Sequence, residues 1–162
     1  MKLTEQILGI LNADSRTSVD KIAVMLGVTA SEVSSEIRRL EDNGTIVKYG
    51  IVINEDKLDV ETVEALIEVR VAPQFRRGFD AIAEEIYKFD EVSSLYLMSG
   101  GYDLCIIIRG KTLKAVASFV TERLSAMDNV LSTATHFILK KYKCDGAAMQ
   151  SKNDCKRLAI HP

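Results

Sequence analysis

The apolar residues of this chain change their period near residue 60, and that change constrains the fold more than any other feature. Before it, apolar side chains recur every three or four residues, as on one face of a helix. After it, stretches with two-residue alternation take turns with helical stripes. A chain of 162 residues with such a break predicts two small modules.

In the first module, Ile7, Leu8 and Leu11 form a helical stripe that starts from Thr4 as a candidate cap, and residues 13–17 read as a turn. Val19, Ile22, Ala23 and Leu26 predict a second helix, capped by Thr17 or Ser18 and ended by Gly27. Val33, Ile37 and Leu40 predict a third, capped by Thr29 or Ser31 and stopped at Asn43-Gly44. Residues 46–53 follow as a strand-like arm, and the polar residues 54–60 read as a hinge. Residues 61–145 then run strand, helix, strand, strand, helix, strand. The first strand is carried by Val63, Ala65, Ile67, Val69 and Val71 and closed by Pro73. Phe79, Ile82, Ala83, Ile86 and Phe89 make the next helix, and residues 92–98 a strand before the tight turn at Ser99-Gly100-Gly101. The apolar run 104–108 suits a strand covered on both faces. Leu113, Val116, Ala117, Val120, Leu124 and Met127 predict the last helix, and residues 130–139 the last strand. This βαββαβ order predicts a ferredoxin-like α+β domain: two helices on one face of a four-stranded antiparallel sheet.

Composition removes several classes. The run 104–108 is far short of the roughly 20 apolar residues that span a bilayer. Met1-Lys2-Leu3-Thr4 leads straight into a helical pattern, which reads as a cytoplasmic protein with no membrane association. Cys105, Cys144 and Cys155 are widely spaced and suggest neither a disulfide framework nor a zinc site. No phosphate-binding glycine loop, HExxH or GxSxG pattern occurs. His136 falls in a strand and His161 at the terminus, so no catalytic residues, metal or cofactor are expected and the chain does not read as an enzyme. The formal net charge of −2 argues against binding nucleic acid by bulk charge.

The spacing of Ala23, Gly27 and Val33 nevertheless puts a small residue in one helix, a turn glycine, and an apolar anchor in the next. A helix-turn-helix that frees its second helix for the major groove uses this spacing. The outward positions on that helix are Ser31, Glu32, Ser34, Ser35, Arg38 and Arg39, whose hydroxyls and guanidinium groups suit bases and phosphates. The plainer alternative is a three-helix unit that only packs. Residues 1–53 hold six basic and seven acidic side chains, so charge does not decide between them.

Several motifs together resemble the Lrp/AsnC "feast/famine" transcription regulators. They are Arg16-Thr17-Ser18, Leu26-Gly27-Val28-Thr29, Ile37-Arg38-Arg39-Leu40-Glu41-Asp42-Asn43-Gly44-Thr45-Ile46, Lys48-Tyr49-Gly50 and Gly100-Gly101-Tyr102-Asp103-Leu104. The resemblance covers residues 2 to about 145 in order. It implies a winged-type helix-turn-helix (1–53) that binds double-stranded DNA, a strand-like hinge, and a ferredoxin-like sensing domain of the RAM type. It also implies homodimers that assemble further, for example into octameric rings, and amino-acid effectors bound at subunit interfaces. On this sequence the DNA-facing set is Arg16, Ser18, Thr29, Ser31, Ser34, Ser35, Arg38, Arg39 and Lys48. The effector set is Ser99, Gly100, Gly101, Tyr102 and Asp103, with Thr133 and Thr135 on the last strand.

The glycine pair would let backbone amides face a carboxylate while Asp103 pairs with an α-ammonium. The alternative is a hairpin turn with Tyr102 as an interface aromatic and Asp103 as a hydrogen-bond cap. One departure stands out: the family usually carries an arginine just before the position of Ile37, and this chain has Glu36. That carboxylate weakens DNA affinity, accepts from a cytosine amino group, or pairs with Arg39 or Arg16. Residues 146–162, with Lys152, Lys156 and Arg157, read as a tail, either solvated or forming a strand that closes on a neighbouring subunit. The competing function is an oligomeric ligand-binding or structural protein that does not touch DNA.

Overall fold

The computed structural model describes residues 2–72 and 78–149. Pro73, Lys152, Cys155, Lys156, Arg157 and His161 lie outside the described residues. The chain divides into two compact units, Met1–Ile53 and Asn54–Pro162.

The first unit is three helices, α1 (Leu3–Ala13), α2 (Val19–Leu26) and α3 (Ala30–Asp42). Each junction is written in local chemistry. The Ser18 hydroxyl accepts from the Lys21 amide at 3.3 Å and starts α2. Gly27 ends it at φ 67°, a left-handed conformation that lets the Val28 amide reach back to the Ala23 carbonyl. Thr29 and Glu32 form a reciprocal capping box at the start of α3. Ile7, Ile22, Ala23 and Val33 are buried together between the helices. An added Cβ at Gly27 meets nothing within 4 Å, so only backbone strain opposes it. Gly27→Ala is therefore expected to cost about 1 to 2 kcal/mol, read as a lower urea midpoint at unchanged slope.

Two expectations change here. Helix α1 begins at Leu3 with Lys2 as its cap, and the Thr4 side chain is used elsewhere. Residues 46–53, expected as a strand-like arm, carry no strand. A strand needs a second strand to share a ladder of backbone hydrogen bonds, and among the described residues this segment shares none. It is anchored instead by the Ile46 amide on the Leu40 carbonyl at 2.9 Å and by the Tyr49 hydroxyl on Glu41 at 2.9 Å.

The second unit holds an antiparallel sheet of β1 (Val63–Val71), β2 (Val92–Leu97), β3 (Leu104–Gly110) and β4 (Val130–Phe137), in the order β2-β3-β1-β4. Helices α4 (Asp80–Ile86) and α5 (Leu113–Phe119) cover one face. Alternation decides which side chains meet them: Ala65, Ile67, Val69, Leu104, Ile106 and Ile108 pack against Ile82, Ile86, Val116 and Phe119. Each large apolar side chain so buried contributes about 1.5 to 3 kcal/mol against the entropy of ordering it. The run 104–108 is thus covered by the chain's own helices on one face only. Cys105 is nonetheless buried on the other.

The last helix also departs from a single stripe. After Phe119 the backbone widens into one π turn, Val120–Leu124, with the Ser125 amide bonded to the Val120 carbonyl at 2.8 Å. The widened turn keeps Val120 and Leu124 in the core, while Leu113 and Ala117 face solvent and Phe119 takes the buried place.

Residues 54–60 open with a 3₁₀ turn, Glu55–Lys57. Glu55 and Glu64 together bind Arg109 and Lys141, which ties the turn to β1, β3 and the segment after β4. Residues 143–149 are no loose tail. β5 (Lys143–Cys144) and β6 (Ala147–Ala148) form a hairpin through Asp145 at φ 44° and Gly146 at φ 82°, the geometry an Asp-Gly pair favours. Met149 is buried beyond it, and its carbonyl accepts from the Asn54 side chain at 2.6 Å.

Candidate nucleic-acid interface and effector turn

The outer face of α3 is a shallow, open surface bordered by Ser31, Ser34, Ser35, Arg38, Arg39, Asp42 and Asn43. Val33 and Leu40 point the other way, into the unit. Helical periodicity therefore brings together five of the nine residues read as DNA-facing. The Ser35 hydroxyl donates to the Ser31 carbonyl one turn back at 2.6 Å, whereas Arg38 makes no hydrogen bond or ion pair among the described residues. Its guanidinium is presented with all five donors unused.

The remaining four are differently placed. Ser18 and Thr29 cap α2 and α3, so their hydroxyls are already engaged with Lys21 and Glu32. Two hydrogen bonds from Thr29, backbone first, hold the Glu32 carboxyl below its ordinary range. Arg16 is exposed beside Asp14, whose carboxylate accepts from the Arg16 amide at 3.0 Å. Lys48 is exposed on the irregular segment after α3.

Glu36 resolves the departure noted in the sequence. Its Oε2 accepts from Arg39 Nε at 2.8 Å and its Oε1 from Arg39 Nη2 at 2.6 Å, a bidentate pair one turn apart on α3. The hydroxyl of Thr4, on α1, donates to the same Oε1. The Arg39 bonds chiefly, and then Thr4, hold the Glu36 carboxyl down at about 2 against an ordinary 4.5. Glu36 stabilises the folded unit above pH 4.5 and loses this contribution as pH falls from 4.5 through 2. Glu36→Gln is expected to flatten acid destabilisation over that window, read as the difference in urea midpoint between the two proteins from pH 5 to pH 2.

The turn at residues 99–103, read from the sequence as the effector-binding turn, is tied to the end of β1. The Asp103 Oδ2 accepts from the Val71 amide at 2.9 Å, the Asp103 amide donates to the Val69 carbonyl at 3.0 Å, and Arg70 Nε donates to the Gly101 carbonyl at 2.9 Å. Asp103 is thus a backbone cap, with its second oxygen outside these contacts. Neither Gly100 nor Gly101 has a positive φ, and a Cβ on either would meet nothing within 4 Å. The chain's own folding gives no reason for two glycines there. Tyr102 lies against Cys105, and burial chiefly pushes both their hydroxyl and thiol above the ordinary values. Thr133 and Thr135 pair with Val69 and Ile67, which face the helices, so they stand on the helical side of β4. Thr133 Oγ1 lies 3.4 Å from Ser125 Oγ.

Sequence reasoning missed two structural participants, Thr4 as the partner of Glu36 and Arg70 as the clamp on Gly101. No local pattern marks either, because both act across 31 or 32 residues of chain. It also passed over Asp145-Gly146, which is a readable hairpin signal.

Residues 3–41 match the AsnC-type helix-turn-helix domain, and residues 64–148 match the Lrp/AsnC ligand binding domain. The chain belongs to the Lrp/AsnC family. The second match runs to the end of the β5–β6 hairpin, so the Lrp/AsnC domain takes in residues 146–148, which the sequence reads as the start of a tail. Over their whole lengths, this chain and the uncharacterised HTH-type transcriptional regulator YugG of Bacillus subtilis are 48% identical. The same fold occurs in the leucine response regulatory protein LrpA of Mycobacterium tuberculosis, with TM-score 0.76 and 23% identity, covering 93% of this chain and 99% of that one. It occurs too in a Neisseria meningitidis transcriptional regulator solved as a complex with L-Met, with TM-score 0.71 and 21% identity over 89% and 92% of the two chains.

Proposed function

We propose that this protein is a sequence-specific DNA-binding transcriptional regulator that acts as a homodimer or a larger ring such as an octamer, in the cytoplasm, without catalysis. The observation that carries the reading is the outer face of α3, where Arg38, without a partner among the described residues, stands beside Ser34 on an open surface within an AsnC-type helix-turn-helix. Likeness to HTH-type transcriptional regulators such as YugG supports it. Assembly answers the charge objection, since two copies of α3 about one helical turn of DNA apart multiply modest single-unit affinities. Against the competing reading of a DNA-free oligomer, the Glu36 carboxylate is held by Arg39 and Thr4 with its side chain 18% exposed, so it does not stand as a free acid on the outer face of α3. Selection of genomic fragments by the purified full chain tests this reading. Enrichment of fragments with paired half-sites at a fixed spacing supports it, and no enrichment overturns it.

The second unit would bind an amino acid or related small effector at the turn 99–103, between subunits. Open space at Gly100 and Gly101 and the uncommitted Asp103 oxygen support the placement, as does the L-Met complex of the Neisseria relative. Backbone amides there suit an α-carboxylate, and Asp103 an α-ammonium. Titration calorimetry across the twenty amino acids is expected to find a ligand whose binding is lost on Gly101→Val, which fills that space without touching the Val71 cap. A panel without heat would leave this unit a role in assembly alone.

A further inference from the structure

Resting on the DNA-binding reading above, we propose that Glu36 is a positioning residue for base readout: it holds one edge of the Arg39 guanidinium so that the other edge faces out to meet a guanine. The contacts fix which edge is which. Nε and Nη2 each give one hydrogen to the Glu36 carboxylate, at 2.8 and 2.6 Å. What remains is the Nη1/Nη2 end, two parallel donors in a plane set by the carboxylate. Two parallel donors match the O6 and N7 acceptors that guanine presents in the major groove.

The pair is asymmetric in exposure, as a positioning device requires. The Glu36 side chain is 18% exposed and the Arg39 side chain 56%. Glu36 is itself fixed from behind, by the Thr4 hydroxyl of α1, so the carboxylate cannot swing out with the arginine. An arginine so held has lost part of its rotamer freedom before binding, and the ordering cost at the interface falls. Arg38, one residue away on the same open surface, has no such support and stays adaptable, as suits a phosphate contact.

The test is selection from a random duplex pool with the full chain, followed by affinities for the selected duplex, for versions with each G·C pair replaced, and for unselected DNA. Wild type is expected to prefer one G·C pair per half-site by about tenfold or more, the worth of a bidentate contact. Arg39→Ala and Arg39→Lys lose that preference. Glu36→Gln loses it at the same position while its affinity for unselected DNA holds or rises, since a negative charge is gone. Thr4→Val, which leaves the ion pair intact but unbraced, shifts the preference in the same direction. Unchanged preferences in Glu36→Gln, or equal losses on selected and unselected DNA, overturn the proposal while leaving the DNA-binding reading intact. No enrichment by wild type overturns both.

Discussion

Arg38→Ala is expected to lower affinity for a selected operator by about tenfold to a hundredfold, the range for removing an arginine from a DNA interface. The residue is exposed on α3, borders the same open surface as Ser34 and Ser35, and has no partner within the described residues. Its removal therefore leaves no buried group unsatisfied and opens no cavity, so the folded unit should keep its stability. That separates the effect from unfolding. If Arg38 neutralises a phosphate, affinity falls alike on all sequences and the slope of log affinity against log salt becomes shallower by about 0.9 per phosphate left without its arginine. If it reads a base, the loss concentrates on one position of the site. Arg38→Ala with wild-type affinity at moderate salt would remove α3 from the interface. Fluorescence anisotropy on labelled duplexes reads all three outcomes.

Ile22→Ala is expected to have the largest effect on stability, and through it on DNA binding. Ile22 is fully buried with Ile7, Ala23 and Val33, a small core shared by all three helices. Truncating such a side chain costs about 2 to 5 kcal/mol, the transfer term plus the cavity. A unit of 53 residues has of order 3 to 8 kcal/mol in total. The variant should therefore lose most of the stability of its first unit, which then unfolds at low urea. The second unit keeps its own core of Ile67, Ile106 and Leu124 and should unfold at its usual denaturant concentration. Urea unfolding followed by circular dichroism would show helix lost at low urea while the later transition stays in place. A single unshifted transition would contradict the assignment of Ile22 to the core.

How much of this was legible in the sequence follows the range of each interaction. The ends of α2 and the start of α3 were readable because their causes lie within four residues: Ser18 on Lys21, Gly27 at the turn, Thr29 with Glu32. The sheet was readable because alternation records burial, as Ala65, Ile67 and Val69 show. The arm at 46–53 misled for the opposite reason. Its β-branched residues favour a strand, but propensity supplies no partner, and Val47 and Ile51 stand exposed. The π turn after Phe119 escaped because Val116, Val120 and Leu124 stand four residues apart, as they would on an unbroken α-helical stripe. At the candidate sites, sequence named the residue types and helix face, while the pairing of Glu36 with Arg39 was one option among several. Thr4, 32 residues away, holds that pair, and only the folded unit brings the two together.

That α3 reads DNA, in a chain whose formal net charge is −2, is tested most directly by two affinities of the full chain. One is for a selected duplex and the other for a scrambled duplex of equal length, each taken from low to moderate salt. A steep negative salt slope is expected on both, with affinity for the selected duplex about a thousandfold higher or more, as specific regulators show. A flat salt dependence with equal affinities would contradict DNA reading by α3.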